Sequence, residues 1–284
     1  MIRRVPVSDG VVVVADHPPQ REERVPLLLL HGFTGDRTSF DGRDGLVATL
    51  GRDRRVLVPD LPGHGDTEIA GAPCTLARTA DLVRTLLAAL GVTRAAVLGY
   101  SMGGRLALQL TLSSAAVVER LVLVSASAGL PSETERSARR RQDEDLAQFI
   151  EERPMAEFVE RWEGLPLFAT ERVLSDAVRA ARRQQRLRAR PAGLAASLRS
   201  MGTGAQAWLG SRLGELSMPV LVMAGALDQK FAGIARELAP GVPNGALAVV
   251  DGAGHAVHLE QPASVAALTR EFLDGKEEPC RSNG

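Results

Sequence analysis

Short apolar runs bounded by glycine, proline or charge recur along the chain, with helical periodicities between them. Val11–Ala15 reads as an edge strand and Arg24–Leu30 as a buried one. Arg55–Pro59, Ala95–Leu98, Leu121–Ser125, Pro219–Ala224 and Ala246–Val250 supply further strands. Leu82, Val83, Leu86, Leu87 and Leu90 repeat at helical spacing behind Thr75, a candidate N-cap, and stop at Gly91. Leu106, Ala107, Leu108 and Leu110 begin another helix, and Pro262–Leu273 a last one. Alternation of this kind predicts an α/β fold.

From about Gly129 to Thr203 the pattern changes. Strand-like runs vanish, and an Arg/Glu/Ala-rich stretch carries Leu146, Phe149, Ile150, Phe158 and Trp162 at helical spacing. This predicts a helical cap inserted into the core, where a substrate pocket gains its lid. The expected organisation is core over 1–128, cap over 129–204, core again over 205–275 and a tail over 276–284.

A chain of 284 residues can bury one core and still carry an insertion. Its 34 basic residues balance its 34 acidic ones, so the overall charge points to neither nucleic acid nor an anionic membrane as partner. Cys74 and Cys280 are distant in sequence, which argues against a disulfide framework or a metal site. Val11–Val14 is too short for a signal-peptide core, and no run approaches a membrane span. A cytoplasmic protein is expected.

The chemistry centres on residues 95–110, AAVLGYSMGGRLALQL. Gly99-Tyr100-Ser101-Met102-Gly103 is a G-x-S-x-G sequence with a strand before it and a helix after it. A serine on so tight a turn is strained, so its neighbours two away must be small. The turn presents Ser101 Oγ above the sheet and leaves the Met102 N–H where an oxyanion forms. The Gly-rich loop His31–Asp36 follows a strand and offers the Phe33 N–H as second donor. His31 reads as a structural histidine rather than a base, and His64, which precedes the serine, as loop scaffolding.

Asp228 and His255 each stand just beyond a predicted strand, after Ser101 in the order nucleophile, acid, histidine. In a parallel sheet, strand C-termini share one edge, so the three can meet. His255 would take the serine proton, and Asp228 would orient the imidazole. The plainer alternative makes Asp228 a turn cap and His255 a surface residue. His258 reads as structural or as support for the site.

Arg105 lies four positions after Ser101 on one helix face, against the positive end of the helix dipole. Either a substrate carboxylate or an internal acidic partner compensates it. Arg139–Asp143 and Arg140–Glu144 have i,i+4 spacing, as on a solvated helix face. The run 179–190 holds six arginines and no acid, which suits a basic pocket wall or an exposed helix. Tyr100, the only tyrosine, adjoins the serine and is expected to line the pocket. Trp162, at helical spacing from Phe158, reads as core.

HGF (31–33), DLPGHG (60–65), the G-x-S-x-G turn, the Asp228 loop and GAGH (252–255) together resemble the α/β-hydrolase superfamily across the chain. GYSMGGR (99–105), ERSARRRQDEDLA (135–147), WEGLPLF (162–168), GLAASLRSMGTGAQ (193–206), DQKF (228–231) and GAGHAVHLEQP (252–262) are more specific. They are similar to the 2-succinyl-6-hydroxy-2,4-cyclohexadiene-1-carboxylate synthases of menaquinone biosynthesis. The resemblance implies an α/β-hydrolase fold, with a mostly parallel sheet flanked by helices, and a lyase without metal or cofactor. In such enzymes the triad removes a proton from a tricarboxylate and pyruvate leaves, the serine acting as base with no acyl-enzyme. It also implies a substrate-carboxylate ligand at Arg139, a pocket-wall role for Trp162, and another arginine at Arg188, with Arg186 as rival. Two other readings share the fold: a serine hydrolase of esters or C–C bonds, and a non-catalytic ligand receptor.

Overall fold

The computed structural model describes residues 1–21 and 24–275. The expected tail over 276–284, with Cys280, lies outside the described residues. Among the described residues, nine strands form one sheet: β1 (Ile2–Val7), β2 (Gly10–His17), β3 (Leu27–Leu30), β4 (Val56–Pro59), β5 (Glu68–Ile69), β6 (Ala95–Tyr100), β7 (Val118–Val124), β8 (Val220–Gly225) and β9 (Gly245–Val250). Their order is β1-β2-β4-β3-β6-β7-β8-β9, with β5 paired to β2. The pairs from β4 through β9 are parallel, and β2 pairs antiparallel with β1, β4 and β5.

The expectation that Val11–Ala15 is an edge strand is corrected: β2 lies inside the sheet and β1 covers its outer side. Within β1 only Val5 is buried. An alternation of apolar and polar positions, the sign by which a half-buried strand is read, is therefore missing there.

Among the described residues, ten α-helices accompany the sheet. They are α1 (Leu46–Leu50), α2 (Leu76–Ala89), α3 (Met102–Ser113), α4 (Glu133–Glu152), α5 (Met155–Glu163), α6 (Asp176–Leu187), α7 (Pro191–Met201), α8 (Gln229–Leu238), α9 (Val257–Glu260) and α10 (Pro262–Leu273). Thr75 caps α2 by accepting from the Arg78 N–H at 3.2 Å. Past that helix Gly91 takes φ +72°, a left-handed turn that suits glycine.

Both faces of the sheet are covered, so its central strands are apolar throughout. Leu28, Leu30, Val97, Leu121 and Leu123 join the core that contains residues of α2, α3 and α8. Leu27, Leu29, Leu98, Val122 and Val124 join the other, with residues of α1 and α10. Helices α4 to α7 follow one another between β7 and β8, inside the 129–204 span expected for a cap. They bury a small core of their own, including Ile150, Phe158, Val159 and Leu194. Phe33, on the loop after β3, packs against this cluster and against the main core. Among the described residues, no helix is long and apolar enough to cross a membrane.

Candidate active site

Strand β6 ends at Tyr100 and α3 begins at Met102, so Ser101 alone makes the turn, at φ 52° and ψ −111°. At the two positions on either side of its immediate neighbours only glycine fits. A Cβ on Gly99 would fall 2.2 Å from the Gly103 carbonyl oxygen, and one on Gly103 would fall 2.1 Å from that of Leu30. The strain at Ser101 is held by this close packing and by its N–H, which donates to the Val124 carbonyl at 2.8 Å.

Ser101, Asp228 and His255 meet at the C-terminal edge of the sheet. His255 Nδ1–H donates to Asp228 Oδ2 at 2.8 Å, which leaves Nε2 as the acceptor for the Ser101 hydroxyl at 3.1 Å. Asp228 also caps α8, its Oδ1 accepting the Phe231 N–H at 3.1 Å. The two readings of Asp228 therefore coexist: the cap fixes the carboxylate that orients the imidazole. No hydrogen bond among the described residues takes up the N–H of Phe33 or of Met102. Both residues border the same cavity as Ser101.

That cavity has a volume of about 400 Å³ and lies between the sheet edge and the cap helices. Tyr100, Trp162, Phe168 and Phe231 give it an aromatic lining; Arg105, Arg139, Arg182, Arg186 and Lys230 give it charge; among the described residues no Asp or Glu lines it. Cationic groups beside aromatic faces are the side-chain types that pair with carboxylates and pack on apolar bodies.

An α/β-hydrolase fold family model matches residues 25–262. The chain belongs to the α/β-hydrolase family. A Bacillus subtilis (strain 168) protein named as a 2-succinyl-6-hydroxy-2,4-cyclohexadiene-1-carboxylate synthase is 38% identical over 272 residues, 95% of this chain and 97% of that one. A synthase of the same name from Salmonella paratyphi C (strain RKS4594) is 31% identical over 262 residues, 91% and 98% of the two chains. Among solved structures, MenH from S. aureus superposes with a TM-score of 0.88 at 28% identity, covering 96% of this chain and 100% of that one.

The arginines of this α/β-hydrolase are held in different ways. Arg105 is 9% exposed, and its Nη1 donates to two neutral acceptors, the Met201 carbonyl at 2.8 Å and Gln206 Oε1 at 2.9 Å. Burial and then the nearby Arg139 push its guanidinium down to about 10. Arg139 makes the expected i,i+4 pair with Asp143 at 2.8 Å and still borders the cavity. Arg140 does not pair with Glu144; it reaches back to Glu133 at 2.5 Å, and Glu144 pairs with Arg199 at 2.9 Å.

Arg188, chosen above, borders a neighbouring recess beside the Gly32–Gly35 loop, and it is the rival Arg186 that reaches the cavity. The reason is helical phase: two residues along α6 turn the side chain by about 200°. Arg182, four residues before Arg186, shares its face and also lines the cavity. It was legible only as one of six arginines. Arg182 pairs with Glu171 at 3.0 Å, and Arg186 with Glu163 at 3.0 Å. Burial raises the Glu171 carboxyl above the usual range, against the pull of Arg182 and Arg186.

Supporting residues that sequence reading missed surround His255. The Ser125 hydroxyl donates to the His255 carbonyl at 2.9 Å. Glu260 accepts the N–H of Gly254 at 2.8 Å and of Ala256 at 3.1 Å. His31, His64 and His258 are also buried, and among the described residues none of them hydrogen-bonds to the triad. His31 Nε2 accepts the Leu61 N–H at 3.1 Å, so its proton sits on Nδ1, donated to the Gly32 carbonyl at 2.8 Å. His258 stacks on Tyr100 with ring centroids 4.4 Å apart.

Proposed function

We propose that this α/β-hydrolase is a carbon–oxygen lyase: it eliminates pyruvate from 2-succinyl-5-enolpyruvyl-6-hydroxy-3-cyclohexene-1-carboxylate to give 2-succinyl-6-hydroxy-2,4-cyclohexadiene-1-carboxylate. The observation that carries this reading is a cavity beside Ser101 lined, among the described residues, by five cationic side chains and no acidic one. A tricarboxylate suits such a lining, and a neutral ester has little use for it.

In the proposed reaction His255 takes the Ser101 proton, and Ser101 Oγ takes the ring proton next to the succinyl carbonyl. Negative charge passes to that carbonyl oxygen, facing the N–H groups of Phe33 and Met102. The electron pair then shifts through the ring alkene, the ring carbon–oxygen bond to the enolpyruvyl group breaks, and the departing enolate takes the proton from the His255 imidazolium, which gives pyruvate and restores the neutral imidazole. Asp228 stabilises the imidazolium that forms in between. Arg105, Arg139 and Arg186 would hold substrate carboxylates, with Tyr100 and Trp162 against the apolar body. The proposed partner is thus a small polycarboxylate, with neither nucleic acid nor membrane involved, and the setting is cytoplasmic.

The test supplies the tricarboxylate to purified protein and follows pyruvate release, with a simple aryl ester run alongside. Pyruvate release abolished in Ser101→Ala supports the lyase. Ester cleavage without pyruvate supports the serine hydrolase reading instead.

A further inference from the structure

We infer that Gln206 is a positioning residue for substrate binding: it holds Arg105 in place through a neutral acceptor, so that a substrate carboxylate meets a guanidinium with no carboxylate bonded directly to it. The inference deepens the proposed lyase reading and rests on it.

Arg105 is the cavity cation closest in sequence to Ser101, and among the described residues it makes no ion pair. Its neighbours differ in this respect: Arg139, Arg182 and Arg186 each face a carboxylate. The acceptors of Arg105 are a backbone carbonyl and the Gln206 amide oxygen. The direction of that amide is fixed by chemistry, since a guanidinium offers only donors and Oε1 must face it. Gln206 is 3% exposed and does not border the cavity, so it acts through Arg105.

The other end of the amide shows what this arrangement gives up. Gln206 Nε2 is buried with no hydrogen-bond partner. It faces Gly129, where a Cβ would fall 3.0 Å from Nε2, and the backbone there has φ +101°. A glutamate of the same shape would accept the same bond from Arg105, remove the orphaned N–H and supply a counter-charge. For the resting fold it trades the orphaned donor for an ion pair with Arg105, its second oxygen taking the place of Nε2. For binding an anion it is the worse choice, because the carboxylate at 206 would compete with that of the substrate.

The experiment compares Gln206→Glu and Gln206→Met in the full chain. It records the thermal midpoint, kcat and KM for pyruvate release, and the affinity for tricarballylate, a simple tricarboxylate, by tryptophan fluorescence. The inference expects Q206E to keep or raise the midpoint while KM and the tricarballylate Kd rise at least about tenfold and kcat stays within about threefold. Q206M, which removes the acceptor without adding charge, lowers the midpoint and weakens binding by less than Q206E. Binding that follows stability, with Q206M worse than Q206E, overturns the inference, and so does a Q206E with wild-type KM and Kd. Should Q206E not fold, Q206M decides alone: unchanged tricarballylate binding overturns the inference, and a loss of about two- to tenfold supports it. Should the wild type bind tricarballylate but release no pyruvate, the lyase reading fails while the order of the Kd values still tests Gln206.

Discussion

Glu260 grips the backbone on both sides of His255: one carboxylate oxygen accepts the N–H of Gly254 and the other that of Ala256, at 2.8 and 3.1 Å. With the Ser125 hydroxyl on the His255 carbonyl, the imidazole stands on a backbone fixed at three points. The 3.1 Å approach of Nε2 to Ser101 depends on that support. Glu260→Gln keeps the shape but replaces one acceptor with a donor. It is expected to lower kcat by about 10- to 100-fold with little change in KM, because a small displacement of a catalytic group carries such a cost. Steady-state kinetics of pyruvate release check this, and an unchanged kcat would remove the clamp from the argument.

Ser101→Ala removes the proposed proton acceptor and leaves the strained turn otherwise filled. Turnover is expected to fall by about three or more orders of magnitude, with a thermal midpoint close to wild type. A variant that still released pyruvate at a tenth of the wild-type rate would assign the base elsewhere.

Arg105→Ala removes a buried cation from the cavity wall. A loss of about 2–4 kcal/mol in kcat/KM, about 30- to 1000-fold, is expected, most of it in KM. Arg105→Lys should recover only part, since an ammonium lacks the planar fork that meets a carboxylate with two bonds. Equal kcat/KM in wild type and Arg105→Ala would end the carboxylate role.

Gly103→Ala tests the turn itself. The new Cβ would sit 2.1 Å from the Leu30 carbonyl oxygen and 2.6 Å from that of His31, both backbone atoms with little room to yield. Helix α3 must then shift, moving the Met102 N–H and Ser101 together. Overpacking of this kind costs about 1–3 kcal/mol, and activity should fall further than stability. Urea unfolding and pyruvate release measured on one preparation separate the two effects.

What was legible in the sequence follows from what is local. The G-x-S-x-G turn, the Asp228 loop and the His255 loop each carry their constraint within a few residues, and the parallel sheet does the rest by gathering strand ends at one edge. β1 was not legible because its stability comes from pairing with β2 and only Val5 of it is buried. Arg186 and Arg188 could not be told apart while the phase of α6 was unknown. Glu260, Ser125 and Gln206 touch partners 4, 130 and 101 residues away, and only the first of these distances falls within a local motif.

Three buried histidines give the fold a pH dependence whose sign can be worked out. Burial, with His31 adding to it, pushes His64 down to about 3. Burial, with Arg182 and His255 adding to it, does the same to His258. Burial also lowers His31. In the unfolded chain each of them takes up a proton near the ordinary value of 6.5. Between that value and the depressed one the unfolded state therefore binds more protons than the native state. Stability contributed by these groups is present above about pH 6.5 and drains away as the pH falls, by up to about 1.4 kcal/mol per pH unit for each histidine. Urea unfolding at pH 7.5, 6.5 and 5.5 should show free energy falling steeply across the lower interval. His258→Phe, which keeps a ring against Tyr100 and Phe40, should flatten that fall by about one proton's worth. A stability that stays level down to pH 5.5 would show that these imidazoles accept protons while still in the native fold.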